Sequence, residues 1–289
     1  MKSSGASMVK NGFSIEKNGR LPGGNLKKRS AVLMLLLFFF TLKPGRGNAT
    51  ETTAAAAPSA RLWQKALDIF RKNSDLYPEK ITILSEILDR HNQPATVTQL
   101  FFTIAMDANG QLVTKLTRAL KNSKDISDEM RKKVEIRDLN KDKAHPKRDS
   151  LTVSLSDSPF NPERQKNVTF HASDEKQMLF GHFCRRFDFI YQTEIVRKGE
   201  PEKLTWSGMA WLDENSGLPL KLEFSLEPLP NRVRSLWTIY LYEISPPDNW
   251  VLKKITISGQ GGFLFIKKRF RSSTSFGDYR RQPQKGDAK

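Results

Sequence analysis

The feature of this sequence that most constrains its fold is a strict alternation of apolar and polar residues in the C-terminal half. The stretch GLPLKLEFSLE, residues 217–227, shows the pattern in its clearest form. Its large apolar residues occupy every second position: Leu218, Leu220, Leu222, Phe224 and Leu226. A strand with this period places all five side chains on one face and leaves the other face to water. The stretch therefore predicts a β-strand with one buried face.

From residue 151 onward nearly every segment alternates in this way, and clusters of turn residues separate several of the segments. The segments are LTVSLS, NVTFHA, QMLFGHFCRRFDFIYQTEIV, KLTWSGMAWLD, LPLKLEFSLE, VRSLWTIYLYEI, WVLKKITIS and GFLFIKKRFRSSTSF. The turns fall at 214–217, 228–230, 246–249 and 259–262. This arrangement predicts an antiparallel meander of six or more strands.

Two stretches upstream of the meander have a helical period instead. Residues 62–72 and 78–91 are predicted to form short helices, with Ser59 as the N-cap of the first and Pro78 in the first turn of the second. Their apolar faces carry Leu62, Trp63, Leu67, Phe70, Ile81, Leu84 and Leu88. We expect both helices to cover the apolar face of the sheet.

A hairpin and a charged insert lie between these helices and the meander. Alternating residues on both sides of the turn at 107–110 predict a strand, a turn and a strand. The insert, at about 121–149, holds ten Lys/Arg and seven Asp/Glu residues. Its thin apolar stripe predicts one exposed helix, from about Ser127 to Leu139, followed by a loop.

The N-terminus has the layout of a secretory signal peptide. Residues 27–29 are basic, and the uncharged run at 31–42 would rise only about 18 Å as a helix, against a hydrocarbon core of about 30 Å. A small-residue site ending at Ala49 follows, so we expect residues 1–49 to be a cleaved signal peptide. An uncleaved anchor is the alternative. An overlong start, with Met8 as an internal candidate, would explain the long polar leader.

The net charge of +17 is distributed unevenly. Residues 1–49 carry a net +8, whereas residues 250–289 hold ten Lys/Arg and two Asp. In this basic tail Lys267, Arg269 and Arg271 alternate onto one strand face, which favours binding to an anionic membrane surface. Nucleic acid is a less favoured partner because the export signal directs the chain out of the cytoplasm. A single cysteine excludes an intrachain disulfide and favours a bacterial periplasm over a small secreted eukaryotic domain.

The sequence carries no motif for catalysis or metal binding. The patterns G-x-S-x-G, H-E-x-x-H and Walker A are missing, and the four histidines lack metal-ligand spacing. The glycine-rich SGQGGF, residues 258–263, predicts a turn because a strand and not a helix follows it. Cys184 lies near His182 and two arginines; we interpret it as a buried strand residue rather than a reactive thiolate. We therefore predict no catalytic residues, no metal and no cofactor.

The apolar face of the predicted sheet needs a cover. Its candidate residues are Phe187, Phe189, Tyr191, Leu218, Leu220, Leu222, Phe224 and Leu226. The predicted helices are few and short, and a curved sheet wider than its helical cover would leave an apolar cavity suited to lipid chains. A dry core closed by helices and sheet fits the same pattern, so periodicity leaves both possibilities open.

Four stretches resemble the bacterial outer-membrane lipoprotein-sorting family, the LolA/LolB-like proteins. They are FGHFCRRFDF at 180–189, GMAWLDENSGLPLKLEF at 208–224, PLPNRV at 228–233 and GGFLFIKKRFRSSTSFGDY at 261–279. The resemblance covers about half of the chain after the signal peptide. It rests on a Gly-x-Ala-Trp-Leu-Asp strand, a Gly-x-Pro turn and a long alternating strand in that order.

This resemblance implies an α+β fold, a strongly curved, unclosed antiparallel β-barrel (half-barrel) with short helices as a lid. It implies a single domain at 50–289 with an apolar cavity for lipid or lipoprotein acyl chains, and a non-enzymatic carrier role in the periplasm. An envelope protein or an anionic membrane surface is then a further partner. The alternative is a structural or assembly module of the cell envelope with a dry core and a basic tail that binds the membrane surface.

Overall fold

The strands pair into one antiparallel sheet, and a single long helix precedes it. In the computed structural model the described residues are 58–107, 110–133, 158–197, 200–229, 233–263 and 266–282, with side chains at 195–202 and 263–267 left aside. All of them belong to one compact unit, Leu42–Lys289. The elements are α1 (Pro58–Asn73), β1 (Leu76–Leu88), β2 (Pro94–Met106), β3 (Leu112–Lys121), β4 (Lys124–Asp125), a 3-10 helix (Pro162–Asn167), β5 (Val168–Leu179), β6 (His182–Arg197), β7 (Glu200–Asp213), β8 (Pro219–Glu227), β9 (Val233–Ser245), β10 (Asn249–Phe263) and β11 (Ile266–Arg281).

The order of strands in the sheet is β4-β3-β2-β1-β11-β10-β9-β8-β7-β6-β5. Strands β5 to β11 form the predicted antiparallel meander. Strand β11 then pairs with β1 as well as with β10, and this joins the N-terminal hairpin strands to the meander. Strands β4 and β5 lie at opposite edges of the order, so the eleven-stranded sheet is unclosed. This architecture is consistent with a half-barrel.

We call the sheet face that α1 packs against the inner face. One row of directly paired residues crosses it from β6 to β3: Phe187, Ala210, Leu222, Tyr240, Ile255, Thr274, Ile83, Leu100 and Ala119. Most side chains in this row are apolar, and all of them except Tyr240 are buried. Because residues of one row share a face, the row confirms that the period-two pattern buries one side of the sheet.

Helix α1 confirms the first predicted helix, although it begins at Pro58 and contains Ser59 within its first turn. Its buried stripe includes Leu62, Trp63, Leu67 and Phe70. The Trp63 ring stacks on Phe170 of β5, with ring centroids 4.4 Å apart, and the Phe70 ring lies 6.4 Å from that of Trp250 on β10. The helix therefore bridges strands that lie far apart in the order of the sheet.

The second predicted helix, at 78–91, is wrong because these residues form β1 and the turn after it. Ile81 lies on the inner face, whereas Leu84 and Leu88 face the opposite side. These three residues therefore do not form one face of a helix that covers the sheet. The β-branched residues of this segment favour a strand, and pairing with β2 and β11 on both sides stabilises it beyond what the local period indicates.

One predicted turn and one predicted strand also differ from the structure. Residues 259–262 lie inside β10, and the ring of Phe270 packs over Gly259, where a Cβ atom would lie 2.7 Å from it. The segment QMLFGHFCRRFDFIYQTEIV is not one strand, because Phe180 and Gly181 form a tight turn between β5 and β6 with φ values of 51° and 83°. Positive φ is uncommon for phenylalanine, so the residue pair Phe180-Gly181 did not indicate a turn in the sequence.

Some predictions lie outside the described residues. They concern the signal peptide at 1–49, the strand LTVSLS at 151–156 and most of the charged insert. Within the insert, residues 127–133 are helical, as predicted, and the Ser127 hydroxyl accepts a hydrogen bond from the backbone N–H of Ala119 on β3.

The Asn73 side chain is a buried link between α1 and the sheet. Its Oδ1 accepts a hydrogen bond of 3.2 Å from the backbone N–H of Trp250, and its Nδ2 donates to the Ile69 carbonyl oxygen at 2.8 Å. Because Asn73→Ala leaves the buried N–H of Trp250 without an acceptor, we expect it to lower the free energy of unfolding by about 1–3 kcal/mol. Urea unfolding measures this loss. The neighbouring exposed change Lys72→Ala serves as a control, and an equal loss in both variants would contradict the assignment.

Candidate functional site: the inner face of strands β6 to β10

The predicted lipid-binding residues come together on the inner face. Phe187, Phe189 and Tyr191 on β6, Leu218 just before β8, and the four predicted apolar residues within β8 are all at most 7% exposed. They are separated by β7, which presents Trp206, Gly208 and Ala210 between them. The structure thus places both sets in one continuous apolar surface. Whether this surface binds lipid stays a prediction.

Gly208 permits the close packing at the centre of this surface. A Cβ atom at this position would lie 2.0 Å from the Glu223 carbonyl oxygen and 2.6 Å from Phe224 Cα. With no side chain on β7 at this point, Phe224 packs against three aromatic rings. Its ring stacks on Trp206 with centroids 4.6 Å apart and contacts Phe189 and Tyr240 at 6.5 Å and 5.2 Å.

Two polar groups beside Phe224 are buried without a hydrogen-bond partner among the described residues. They are the Nε1–H of Trp206 and the hydroxyl of Thr238, whose residues are 4% and 2% exposed. Thr238 pairs directly with Phe224 across β8 and β9, so both groups flank the same ring. The sequence analysis missed both residues. The sequence could have indicated them, because each is a residue with a polar group at an inner-face position of a strand whose other inner-face residues are apolar.

The remaining predicted lid residues lie on α1, at one end of the strands. Lys65 Nζ donates to the Asn215 carbonyl oxygen at 2.8 Å, which places α1 beside the turn between β7 and β8. At the far end of the helix, Asn73 contacts the start of β10. We call this the helix end of the sheet, and the opposite end holds Leu226, Leu236 and Phe270.

The predicted membrane-surface residues differ in their partners. Arg271 Nε lies 2.6 Å from Oε2 of Glu86, a carboxylate whose side chain is 11% exposed. Arg269 instead donates through Nη1 to the neutral side chain of Asn92 at 2.5 Å. The side chain of Lys267 lies outside the described part of the chain. Arg271 is therefore committed to an internal ion pair, whereas Arg269 forms no ion pair with any described residue.

A shallow cavity of about 390 Å³ lies beside Arg269. Its walls include Leu88, Trp237 and Ser258, and Trp237 is 36% exposed. Leu236, Gly259 and Phe270, at inner-face positions, line it as well, so the cavity lies at this end of the sheet between residues of both faces. None of the predicted lipid-binding residues lines it.

The surroundings of Cys184 favour a packing role. The residue is fully buried, and its Sγ donates to the His182 carbonyl oxygen at 3.6 Å. Burial, reinforced by the Asp213 carboxylate, raises the pKa of the Cys184 thiol to about 11. The thiol is therefore protonated near neutral pH, which disfavours attack by a thiolate.

The described residues contain no cluster of three histidine, cysteine, aspartate or glutamate side chains that could hold a metal ion. No helix within the described ranges is both long enough and apolar enough to cross a membrane.

Comparisons with known proteins place this chain in no family. No family model and no curated protein matches it. A crystal structure of MucB in complex with MucA(peri) is 8% identical and aligns over 78% of this chain and 100% of that chain, with a TM-score of 0.22. The MucA/MucB complex of Pseudomonas aeruginosa gives the same identity and coverage with a TM-score of 0.20. The di-domain ARO/CYC StfQ from the steffimycin biosynthetic pathway is 9% identical over 75% of this chain and 81% of that chain, with a TM-score of 0.14.

TM-scores this low establish neither a shared fold nor a shared function. The resemblance to the lipoprotein-sorting family therefore stays a prediction from the quoted residues.

Asp213 closes the turn between β7 and β8 and provides a pH-dependent contribution to stability. Burial opposes its ionisation, but hydrogen bonds from the Ser216 hydroxyl, the Asn215 backbone N–H and His182 together lower the pKa of Asp213 below its ordinary value of 3.8. A lowered folded-state pKa stabilises the fold above that ordinary value. This contribution is lost as the pH falls through the lowered pKa.

We therefore expect Asp213→Asn to be less stable than the wild type near neutral pH, with the difference shrinking below about pH 4. Urea unfolding at several pH values measures the difference. Asp174→Asn, at an exposed position on β5, is the control and should change stability little at any pH. A loss that is the same at every pH would exclude the proposed role of the carboxylate.

Proposed function

We propose that this protein is an exported, non-enzymatic carrier that binds lipid or lipoprotein acyl chains on its inner face. The observation that carries the proposal is the extent of the apolar inner face relative to its helical cover. Leu220 and Leu226 are six residues apart on β8, which is about 20 Å. A helix with its side chains is about 10–12 Å wide, so α1, which lies beside Gly217, covers only part of this length, and other protein groups bury Leu226.

The chemistry of the inner face suits hydrocarbon chains. It presents Phe189, Trp206, Phe224 and Leu226, and in this part of the described sheet the inner-face positions of β6 to β8 carry no charged side chain. Burial of apolar area stabilises a bound chain by about 25 cal/mol per Å² without requiring a specific partner. These four residues are 1–4% exposed, so a bound chain would displace the protein groups that cover them.

In this proposal α1 is the lid of the half-barrel. Its attachment relies on Trp63, Phe70 and Asn73, which contact β5, β10 and the backbone of Trp250. A helix held by a few side chains at one end of the sheet can move aside while the paired strands stay intact. The periplasm, as the compartment, follows from the predicted signal peptide. A role in outer-membrane lipoprotein sorting or lipid transfer follows from the resemblance to LolA/LolB-like proteins.

The variant Leu222→Glu distinguishes a carrier from a dry core. Leu222 is fully buried between Ala210 on β7 and Tyr240 on β9. In a carrier, water can solvate the new carboxylate when the lipid leaves, so we expect a folded protein that no longer co-purifies with lipid. In a dry core, an unpaired carboxylate costs several kcal/mol, which is a large part of the roughly 5–15 kcal/mol that stabilises a typical domain.

Native mass spectrometry with lipid extraction, on protein purified from the periplasm, measures the bound lipid, and circular dichroism reports folding. The matched control is Ile190→Glu, an isomeric side chain on the opposite face of β6 that is 47% exposed. Lys221→Glu is a poorer control because Lys221 forms an ion pair with Glu223. A Leu222→Glu protein that unfolds while Ile190→Glu folds would favour a dry core over the carrier.

The second candidate is an envelope assembly module with a dry core that binds the membrane surface through cations. One observation favours it: the exposed side chains of Arg234 and Lys268 form no ion pair with any described residue, and both lie near Arg269 at the end of the sheet away from α1. The same region also holds two carboxylates. The Oδ1 of Asp89 already accepts backbone hydrogen bonds from His91 and Gln93, and Glu227 is exposed at the end of β8.

For this candidate we expect binding to anionic vesicles that weakens with salt, since charges are screened over about 8 Å at physiological ionic strength. Arg269→Gln should weaken vesicle binding without changing stability. Arg271→Gln leaves Glu86 without its cation, so it should lower the free energy of unfolding by about 1 kcal/mol and change vesicle binding less. Vesicle co-sedimentation and urea unfolding measure the two effects. Equal vesicle binding by the wild type and Arg269→Gln would exclude this surface.

A further inference from the structure

We propose that the turn between β5 and β6 inserts into the interface of an anionic lipid bilayer. We call residues 177–183, with the sequence QMLFGHF, the hairpin tip. The tip lies at the helix end of the sheet, because the backbone N–H of Glu214, in the turn beside α1, donates to the Phe183 carbonyl oxygen at 2.9 Å. The inference goes beyond the proposed carrier function, since it concerns neither the inner face nor the cations around Arg269.

The hairpin tip carries the two most exposed large apolar side chains of the described residues. Phe180 is 66% exposed and Met178 is 60% exposed, and Phe183, the direct strand partner of Met178, is 47% exposed. A phenylalanine buries about 150–250 Å² when it is packed in a protein, so these three side chains together present an apolar patch of several hundred Å². An apolar patch of this size on a protein surface often marks a binding site.

The backbone conformation of Phe180 indicates that its side chain is at the tip for a reason outside the turn itself. Phe180 and Gly181 both have positive φ, and Leu179 pairs with His182 on either side of them, which describes a two-residue turn of type I′. Asn-Gly and Asp-Gly are the favoured pairs in such a turn, because a bulky side chain is disfavoured at positive φ. Phe180 thus costs conformational free energy, and its exposure shows that packing within the protein offsets little of that cost. Contact with a partner outside the chain would offset it.

The charges around the tip favour a membrane as that partner. The seven residues of the tip include no aspartate, glutamate, lysine or arginine, and Lys176 and Arg185 flank the tip as direct partners on the two strands. Both cations lie 2.9 Å from the same carboxylate, that of Glu214, so the three groups together keep one positive charge beside the tip. An apolar segment bordered by cations matches the hydrocarbon and the phosphate layers of an anionic bilayer.

The dimensions of the hairpin also fit an interface. Phe180 is four residues from Lys176 and five from Arg185, which is up to about 13–17 Å along a strand. The headgroup region on each side of a bilayer is about 5–8 Å thick, so cations at the level of the phosphates would allow Phe180 to reach the hydrocarbon. The pairing of Met178 and Leu179 with Phe183 and His182 provides backbone partners within the hairpin, as an apolar environment requires.

The shape of the tip favours a bilayer over a protein partner. The tip is a projecting turn, and β5 is at the edge of the sheet, so only β6 lies beside it among the described strands. A protein would need a complementary pocket to bury such a projection, whereas the fluid interior of a bilayer needs none. We therefore assign the tip to a membrane surface rather than to a second protein.

The variant Phe180→Asn tests the insertion. Protein purified from the periplasm is mixed with vesicles of phosphatidylglycerol and phosphatidylcholine in equal parts, and co-sedimentation measures binding. We expect Phe180→Asn to bind about tenfold more weakly than the wild type, because the transfer of one phenylalanine out of water is lost. Asparagine is favoured before glycine in this turn, so the variant should keep or raise the melting temperature, which the loss of a packed side chain would lower.

Ile190→Thr is the matched control. Ile190 is as exposed as Phe183, at 47%, but it lies farther along β6, outside the tip. This variant should bind vesicles as the wild type does. Salt separates the tip from the cations at the other end of the sheet: apolar insertion should weaken little as salt is raised, whereas binding through Arg269 should weaken strongly. At high salt Arg269→Gln should therefore bind as the wild type does, and Phe180→Asn should still bind more weakly.

Three results would overturn the inference. The first is equal vesicle binding by the wild type and Phe180→Asn, or a loss in Ile190→Thr as large as in Phe180→Asn. The second is a clearly lower melting temperature of Phe180→Asn, which would mean that the phenylalanine packs within the protein. The third is a wild type that binds no vesicles but self-associates in analytical ultracentrifugation, with Phe180→Asn monomeric, since a second copy of the chain would then cover the tip.

These results are independent of the proposed carrier function. Lipid that co-purifies with a protein whose Phe180→Asn variant binds vesicles normally would leave the carrier intact and exclude insertion of the tip. Vesicle binding that depends on Phe180, in a protein that co-purifies with no lipid, would support the tip and contradict the carrier.

Discussion

The pairing of β11 with both β1 and β10 is the interaction on which the rest of the structure depends. Phe276 pairs with Ile81 and Thr274 with Ile255, so the last strand lies between the first strand and the meander. Without this pairing, β1 to β3 and β5 to β10 would be two separate sheets with exposed edges. The continuous inner face, from β6 to β3, exists because the two ends of the described chain meet in β1 and β11.

The position of α1 follows from this arrangement and decides where the inner face has a helical cover. Asn73 and Trp250 connect the C-terminal end of the helix to β10, and Trp63 connects its N-terminal half to β5 and β6. The Asn73 contact lies at the helix end of the strands, whereas the Trp63 contact with Phe170 reaches the row that contains Phe189 and Phe224. The length of β8 exceeds the width of a helix, so other protein groups cover the inner face beyond this row.

The arginines of β11 differ in their partners. Arg271, Arg280 and Arg281 each contact a carboxylate, and these pairs hold β11 against β1 and the segment before it. Among the described residues, Arg269 hydrogen-bonds the neutral Asn92 and forms no ion pair. Lys268 alternates with Arg269 and shares the side of Phe270, so exposed cations lie on both faces of this end of the sheet.

By itself, the sequence determined the local structure wherever a period was unambiguous: the apolar face of β8, the meander from Val168 onward, the hairpin of β2 and β3, and the stripe of α1. The predictions from sequence were wrong where local residue preferences compete with pairing to distant strands. Residues 78–91 have an acceptable helical period and become a strand because β2 and β11 pair with them, and 259–262 stay extended because Phe270 covers Gly259. The tertiary structure alone decided that Trp206 and Thr238 flank Phe224, because strand register is set by pairing and cannot be read from one segment.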